Sequence, residues 1–158
     1  MEQSPPWAAA LELADVGLIT RLLRLNLVVT RLVDEVASAE GIPTADYYVL
    51  GVLRLSPDHR SSPTRLCDLL GRSSGGMTLT IDRLEALGWL TREADPEDRR
   101  RVIVTLSAAG LELATRVNTA LHEWEDGLAL DDDRWADTVA MADRLLALFE
   151  SVDATVPE

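Results

Sequence analysis

Residues 62–110 decide the fold: SPTRLCDLLGRSSGGMTLTIDRLEALGWLTREADPEDRRRVIVTLSAAG. The stretch opens with Ser62, a side chain suited to capping a helix, and with Pro63 at the first helical position, where a missing N–H costs nothing. Leu66, Leu69 and Leu70 supply an inner face, and Gly71 is the expected stop. After Gly71-Arg72-Ser73 a second helix begins, with Met77, Ile81 and Leu84 inward, Leu87 at its end and Gly88 closing it. Two short helices joined by a glycine-containing turn of three residues form a helix-turn-helix pattern. Trp89–Glu93 and Arg101–Leu106 then read as strands, the second alternating Val102, Val104 and Leu106 on one face. The polar segment Ala94–Arg100 between them is too short for anything but a hairpin loop. A helix-turn-helix followed at once by a hairpin predicts a winged helix.

Outward from this centre the chain reads as helical. From about Trp7 to Ala39, Leu11, Leu18, Leu22, Leu25, Val29, Leu32 and Val36 recur at three and four residues, an apolar stripe in near-heptad spacing. Leu13, Ile19, Leu23, Leu27, Val28 and Val33 widen that stripe beyond what one partner helix would cover. Gly41-Ile42-Pro43 stops the helix. Thr44 reads as the cap of a helix over Ala45–Leu55 with Val49, Val52 and Leu53 inward, and Ser56-Pro57-Asp58 breaks it. Beyond the hairpin, Ser107 caps a helix to about Glu125 with Leu111, Ala114, Val117, Leu121 and Trp124 inward. Asp131-Asp132-Asp133 opens a last helix to about Ser151, where acids suit the positive N-terminal end. The expected class is mainly α: a winged helix-turn-helix with a two-stranded β-hairpin wing and an all-helical dimerisation region.

Composition sets the outer limits. The 158 residues, 47% hydrophobic and 27% charged, suit one domain with a real core. No apolar run reaches the roughly 18 residues of a membrane span, and the start, MEQSPPW, has no basic segment of a secretory signal. A cytoplasmic protein away from the membrane is the expectation. One cysteine excludes an internal disulfide, and Cys67 with His59 and His122 is thin material for a metal site. No Ser-His-Asp or P-loop pattern appears, and Gly75-Gly76 lacks the strand and lysine that a phosphate loop needs. No catalytic residue, metal or cofactor is expected.

The formal charge of −12 is unevenly placed. All 15 cations are arginines, and residues 60–101 hold eight of them against seven acids; that window is +1 and the rest of the chain −13. Arg99, Arg100 and Arg101 follow Asp98 at the hairpin tip, where an arginine can enter a narrow, electronegative minor groove. Neighbours along a strand point oppositely, so the three cannot all face one partner.

The stretch Asp82-Arg83-Leu84-Glu85-Ala86-Leu87-Gly88-Trp89-Leu90-Thr91-Arg92, then Asp95-Pro96-Glu97-Asp98-Arg99-Arg100 and Val104–Gly110, resembles the MarR (multiple-antibiotic-resistance regulator) family of bacterial winged-helix repressors. The family's wing signature runs Asp-x-Arg, five residues, Leu-Thr, two residues, Gly. Asp98, Arg100, Leu106 and Gly110 match in register, and Ser107 stands where threonine is usual. The motif covers about residues 44–110, and the helix order the whole chain. The resemblance implies a winged-helix lobe over 44–106 and a dimerisation region over 1–40 and 107–158, all in one domain. It implies a homodimer that represses from a pseudo-palindromic double-stranded DNA operator and is released by a small aromatic or anionic effector.

The residues that would carry this are Arg72, Ser73, Ser74, Thr78 and Arg83 on the second helix and its approach, and Asp98, Arg99, Arg100 and Arg101 in the wing. Ser74 and Thr78 would reach base edges or phosphates, Arg83 a flanking phosphate, and Asp98 would orient the wing while Arg100 supports DNA contact. Leu79 stands where relatives often carry arginine or a polar residue, and Gly75-Gly76 weakens the helix by roughly 1 kcal/mol per glycine. Either that helix docks unusually close or its base readout is weak. Tyr47, Tyr48, Trp89 and Trp124 are the aromatic candidates for an effector cleft, with core packing as the competing role. Redox-sensing relatives usually place their cysteine near the N-terminus, so Cys67 reads as packing. The alternative function is a winged-helix protein-interaction module without DNA binding, which the acidity and Gly75-Gly76 favour.

Overall fold

The computed structural model describes residues 17–95, 98 and 101–151. Helix α1 (Leu18–Ala39) buries Val33 and Ala37, near its C-terminal end, and packs Val36 against the core; Leu18, Ile19, Leu23, Leu27 and Val28 are exposed. Its expected start at Trp7, with Leu11 and Leu13, lies outside the described residues. No helix among the described residues is long and apolar enough to cross a membrane.

Helix α2 (Thr44–Leu55) begins one residue earlier than the sequence suggested. Pro43 takes the cap position with no side-chain hydrogen bond, and the Thr44 hydroxyl donates to the Asp34 carboxylate of α1 instead of capping. Its inner face holds Asp46, Tyr47, Val49, Leu50 and Leu53, with Val52 half-buried. A 3-10 turn (Pro57–His59), with Asp58 and His59 at φ of 53° and 54°, leads into strand β1 (Arg60–Ser61).

Helix α3 (Pro63–Leu70) is capped as its sequence dictates: Ser62 Oγ accepts from the Arg65 N–H, and Gly71 at φ 59° ends the helix in the left-handed region. Leu66 is buried and Leu70 packs beside it, but Leu69 is 56% exposed. Residues four apart share a helix face, so Leu66 and Leu70 look inward while Leu69 turns away. Helix α4 (Ser74–Ala86) buries Met77, Thr80, Ile81 and Leu84, and Leu87 at its C-cap is half-exposed.

Strands β2 (Leu90–Ala94) and β3 (Val102–Leu106) form the hairpin, paired antiparallel from Leu90↔Leu106 to Ala94↔Val102. The sheet has a third strand, because β1 pairs with β3 through Arg60↔Thr105 and Ser61↔Val104, giving the order β1-β3-β2. Val104 and Leu106 are buried but Val102 is exposed, the strand having run past the core into the wing.

Helix α5 (Ala108–Asp126) buries Gly110, Leu113, Ala114 and Val117. Trp124, expected inward, is 47% exposed. The chain divides into two compact units between Leu121 and His122, so Trp124 falls in the second, beyond the core that α5 helps build. That second unit contains helix α6 (Asp132–Ser151), opened by the Asp131 carboxylate, which accepts from the Arg134 N–H at 2.9 Å. No residue of α6 is buried.

Candidate nucleic-acid interface

Helix α4 has two unlike faces. Met77, Thr80, Ile81 and Leu84 anchor it to the core, while Ser74, Gly75, Thr78, Leu79, Asp82 and Arg83 are exposed. Ser73 begins it by accepting from the Gly76 N–H at 3.3 Å, so its hydroxyl belongs to the cap. A Cβ on Gly76 would stand 3.2 Å from that hydroxyl, whereas one on Gly75 would meet nothing within 4 Å. Gly75 therefore leaves a patch of bare backbone on the outer face.

Most polar groups on that face already have partners. Thr78 Oγ1 donates to the Ser74 carbonyl at 2.9 Å. Asp82 is ion-paired with Arg92, whose guanidinium also reaches Glu85 at 3.2 Å. Arg83, expected toward a phosphate, grips Asp46 of α2 with two hydrogen bonds, Nε to Oδ2 at 2.7 Å and Nη2 to Oδ1. The Asp46 side chain is wholly buried and that of Arg83 is 48% exposed. The hydrogen bond to Asp46 raises the guanidinium pKa against a smaller opposing desolvation, so Arg83 stays charged. Arg72 Nη1 donates to the Ala45 carbonyl at 3.3 Å. Both arginines brace α4 and its approach against α2. Sequence reasoning missed Asp46, although Asp46, Val49, Leu50 and Leu53 keep helical spacing and so place a carboxylate within an apolar stripe.

In the wing, the Asp98 carbonyl accepts from the Arg101 N–H at 2.8 Å, and its carboxylate lies 3.7 Å from Arg101 Nε. Asp98 thus holds Arg101, just before β3, through both backbone and side chain. Arg101 is exposed; Arg99 and Arg100 lie outside the described residues. The base of the wing is fixed to the end of α4. Ser107 Oγ donates to the Gly88 carbonyl at 2.7 Å and accepts from the Gly110 N–H at 3.0 Å, while the Ser107 N–H donates to the Trp89 carbonyl at 3.1 Å. A Cβ on Gly110 would sit 1.9 Å from the Trp89 carbonyl oxygen, so only glycine fits there. That contact requires glycine at the position of this chain that matches the wing signature.

The aromatic candidates do not share one setting. Tyr47 is buried, its hydroxyl pKa raised chiefly by burial, and its ring centroid lies 6.3 Å from that of the half-exposed Tyr48. Trp89 packs against the core beside the joint just described, and Trp124 belongs to the second unit. A cavity of about 820 Å³ opens elsewhere, between the 3-10 turn, the start of α3 and the wing base, with Asp58, Arg60, Arg65, Asp95 and Arg101 on its walls; none of the four aromatics lines it. His59 Nδ1 is 2.9 Å from the Arg54 carbonyl oxygen, and His122 pairs with Glu125 at 2.8 Å. Cys67 is a half-buried free thiol in the packing of α3.

A helix-turn-helix followed by a hairpin wing, with a capped and outward-facing second helix, defines the winged-helix class. The model described as "MarR family" matches residues 40–101. The multiple antibiotic resistance protein MarR of Escherichia coli strain K12 is 31% identical over 120 residues, 73% of this chain and 78% of that one. The transcriptional regulator PecS of Dickeya dadantii is 31% identical over 108 residues, 68% of this chain and 65% of PecS. A solved structure of a mutant E. coli MarR complexed with operator DNA matches with a TM-score of 0.64 and 26% identity, covering 90% of this chain and 99% of that one. The chain belongs to the MarR family.

Proposed function

We propose that this chain is a transcriptional repressor that binds a pseudo-palindromic operator as a homodimer and is released by a small aromatic or anionic effector. The observation that carries the reading is α4, whose outer face offers only small or slender groups from Ser74 to Thr78 and so suits entry into a major groove. Ser74 and Thr78 would face bases. Arg99, Arg100 and Arg101 would meet phosphates or the minor groove, with Asp98 holding the wing in place. Arg72, Ser73 and Arg83 would contribute by positioning α4 more than by contact. Residues 44–106 form the DNA-binding lobe on this reading, and 1–40 with 107–158 the dimerisation region. Exposed leucines and valines along α1, and an α6 with no buried side chain, support a partner copy.

The test is a titration of duplex DNA across salt, with wild type and Arg100→Ala. Each phosphate-bound arginine releases counterions, so the variant should flatten the slope of log affinity against log salt by about one unit, on selected and unrelated sequences alike. Identical slopes would remove the wing from the interface. The net charge of −12 favours one other reading, a winged-helix interaction module, and failure to retain any duplex at low salt would select it.

A further inference from the structure

The outer face of α4 is short of the groups that read purines. Bidentate recognition of guanine or adenine uses arginine, lysine, asparagine or glutamine. Among these α4 has only Arg83, and its guanidinium is held in the two-bond grip of the buried Asp46. Asp82, which could accept from cytosine, is held by Arg92. The Thr78 hydroxyl proton goes to the Ser74 carbonyl. Beside the short hydroxyl of Ser74, what stands clear is Leu79, an apolar side chain 69% exposed on a helix that otherwise buries its large hydrophobic groups in the core. Leu79 follows Gly75 by four residues, so the two share a face, and a helical side chain leans over the turn preceding it. Here that turn carries no side chain at Gly75. The result is an apolar finger over bare backbone, the shape that fits a methyl group on a groove floor. One base pair presents such a group in the major groove: thymine, through its C5 methyl.

We infer that Leu79 is a specificity-determining residue that reads the C5 methyl of thymine, and that α4 selects its site chiefly by methyl contact rather than by hydrogen-bonded purine readout. This rests on the reading of α4 as a DNA-recognition helix. It also accounts for an apolar residue at a position where a polar one is expected.

The experiment starts from duplexes selected by the intact protein from a random library. Each fixed thymine of the selected site is then replaced by deoxyuridine, which removes the methyl and leaves every hydrogen-bonding group. Uracil at one thymine in each half-site should weaken wild-type binding about fourfold per half-site, the equivalent of one buried methyl group. Leu79→Ala should bind thymine and uracil duplexes equally, and Leu79→Met should keep the preference. Leu79 is exposed, so both variants should fold, which a thermal scan checks. Wild-type binding indifferent to uracil at every position would overturn the inference. So would a uracil penalty that survives in Leu79→Ala, which would assign the methyl to another side chain. If no duplex is retained by the wild type, the DNA-recognition reading falls and this one with it.

Discussion

Asp46 is wholly buried on α2, while its partner Arg83 keeps about half of its side chain in solvent, so deleting one or the other has unequal consequences. Arg83→Ala strands a carboxylate in the core and should cost about 3–5 kcal/mol. Asp46→Asn leaves a neutral acceptor in place and a guanidinium that water can reach, and should cost roughly 1 kcal/mol. Urea midpoints at constant m-value would measure both, and equal losses would show that Asp46 has other support. Gly110→Ala belongs at this scale too. Its Cβ would lie 1.9 Å from a backbone oxygen that no rotamer can move, so destabilisation should reach about 3 kcal/mol or more, visible as loss of a cooperative melt. A normal melting profile would mean that α5 can shift. The Asp46–Arg83 pair was not legible in the sequence because an exposed-face arginine and an acid in a first helical turn both have ordinary solvated roles. Only the spacing of Asp46 within the Val49, Leu50 and Leu53 stripe distinguishes it.

At the level of elements, α4 balances intrinsic stability against a bare outer surface. Gly75→Ala meets nothing within 4 Å and should stabilise the free protein by up to about 1 kcal/mol. The same methyl should weaken duplex binding, because it stands where the backbone would approach the groove. A raised melting temperature with undiminished DNA affinity would place Gly75 outside the interface. Helices α3 and α4 and the hairpin were legible because each carries its own punctuation: Ser62 and Gly71, then Ser73 and Gly88, then alternation on β3. Strand β1 was not, since Arg60-Ser61 is two polar residues long and gains its identity only from pairing with Thr105 and Val104. Leu69 shows the limit of apolar spacing on an eight-residue helix, where leucines one position apart cannot both face inward.

For the molecule as a whole, the apolar surface left uncovered is concentrated on α1 and α6. Trp135, Val139, Met141, Leu146, Leu148 and Phe149 are all at least 39% exposed on a helix with no buried residue. Exposed patches of this kind are characteristic of surfaces that meet another chain. Sedimentation at micromolar concentration should therefore show a dimer, and removal of residues 135–158 should cause aggregation before the winged helix melts. A stable, folded monomer would defeat the two-half-site geometry. The sequence shows the apolar surplus through its near-heptad stripe, but Trp124 could not be placed, because its environment depends on where one compact unit ends and the next begins.

The joint at Ser107 has a mechanical consequence. With three hydrogen bonds tying Gly88, Trp89 and Gly110 to one serine, and no room for a methyl at Gly110, the start of α5 and the end of α4 have no slack between them. Helix α4 is about 20 Å long. A tilt of roughly 10° transmitted at its pinned end would swing its far end by about 3 Å, close to the 3.4 Å rise of one base-pair step. On the proposed DNA-binding reading, the register of α4 along a duplex would be geared to the angle set at the opposite end of the helix, and a tilt of about 10° there would move its reading turn by about one base-pair step.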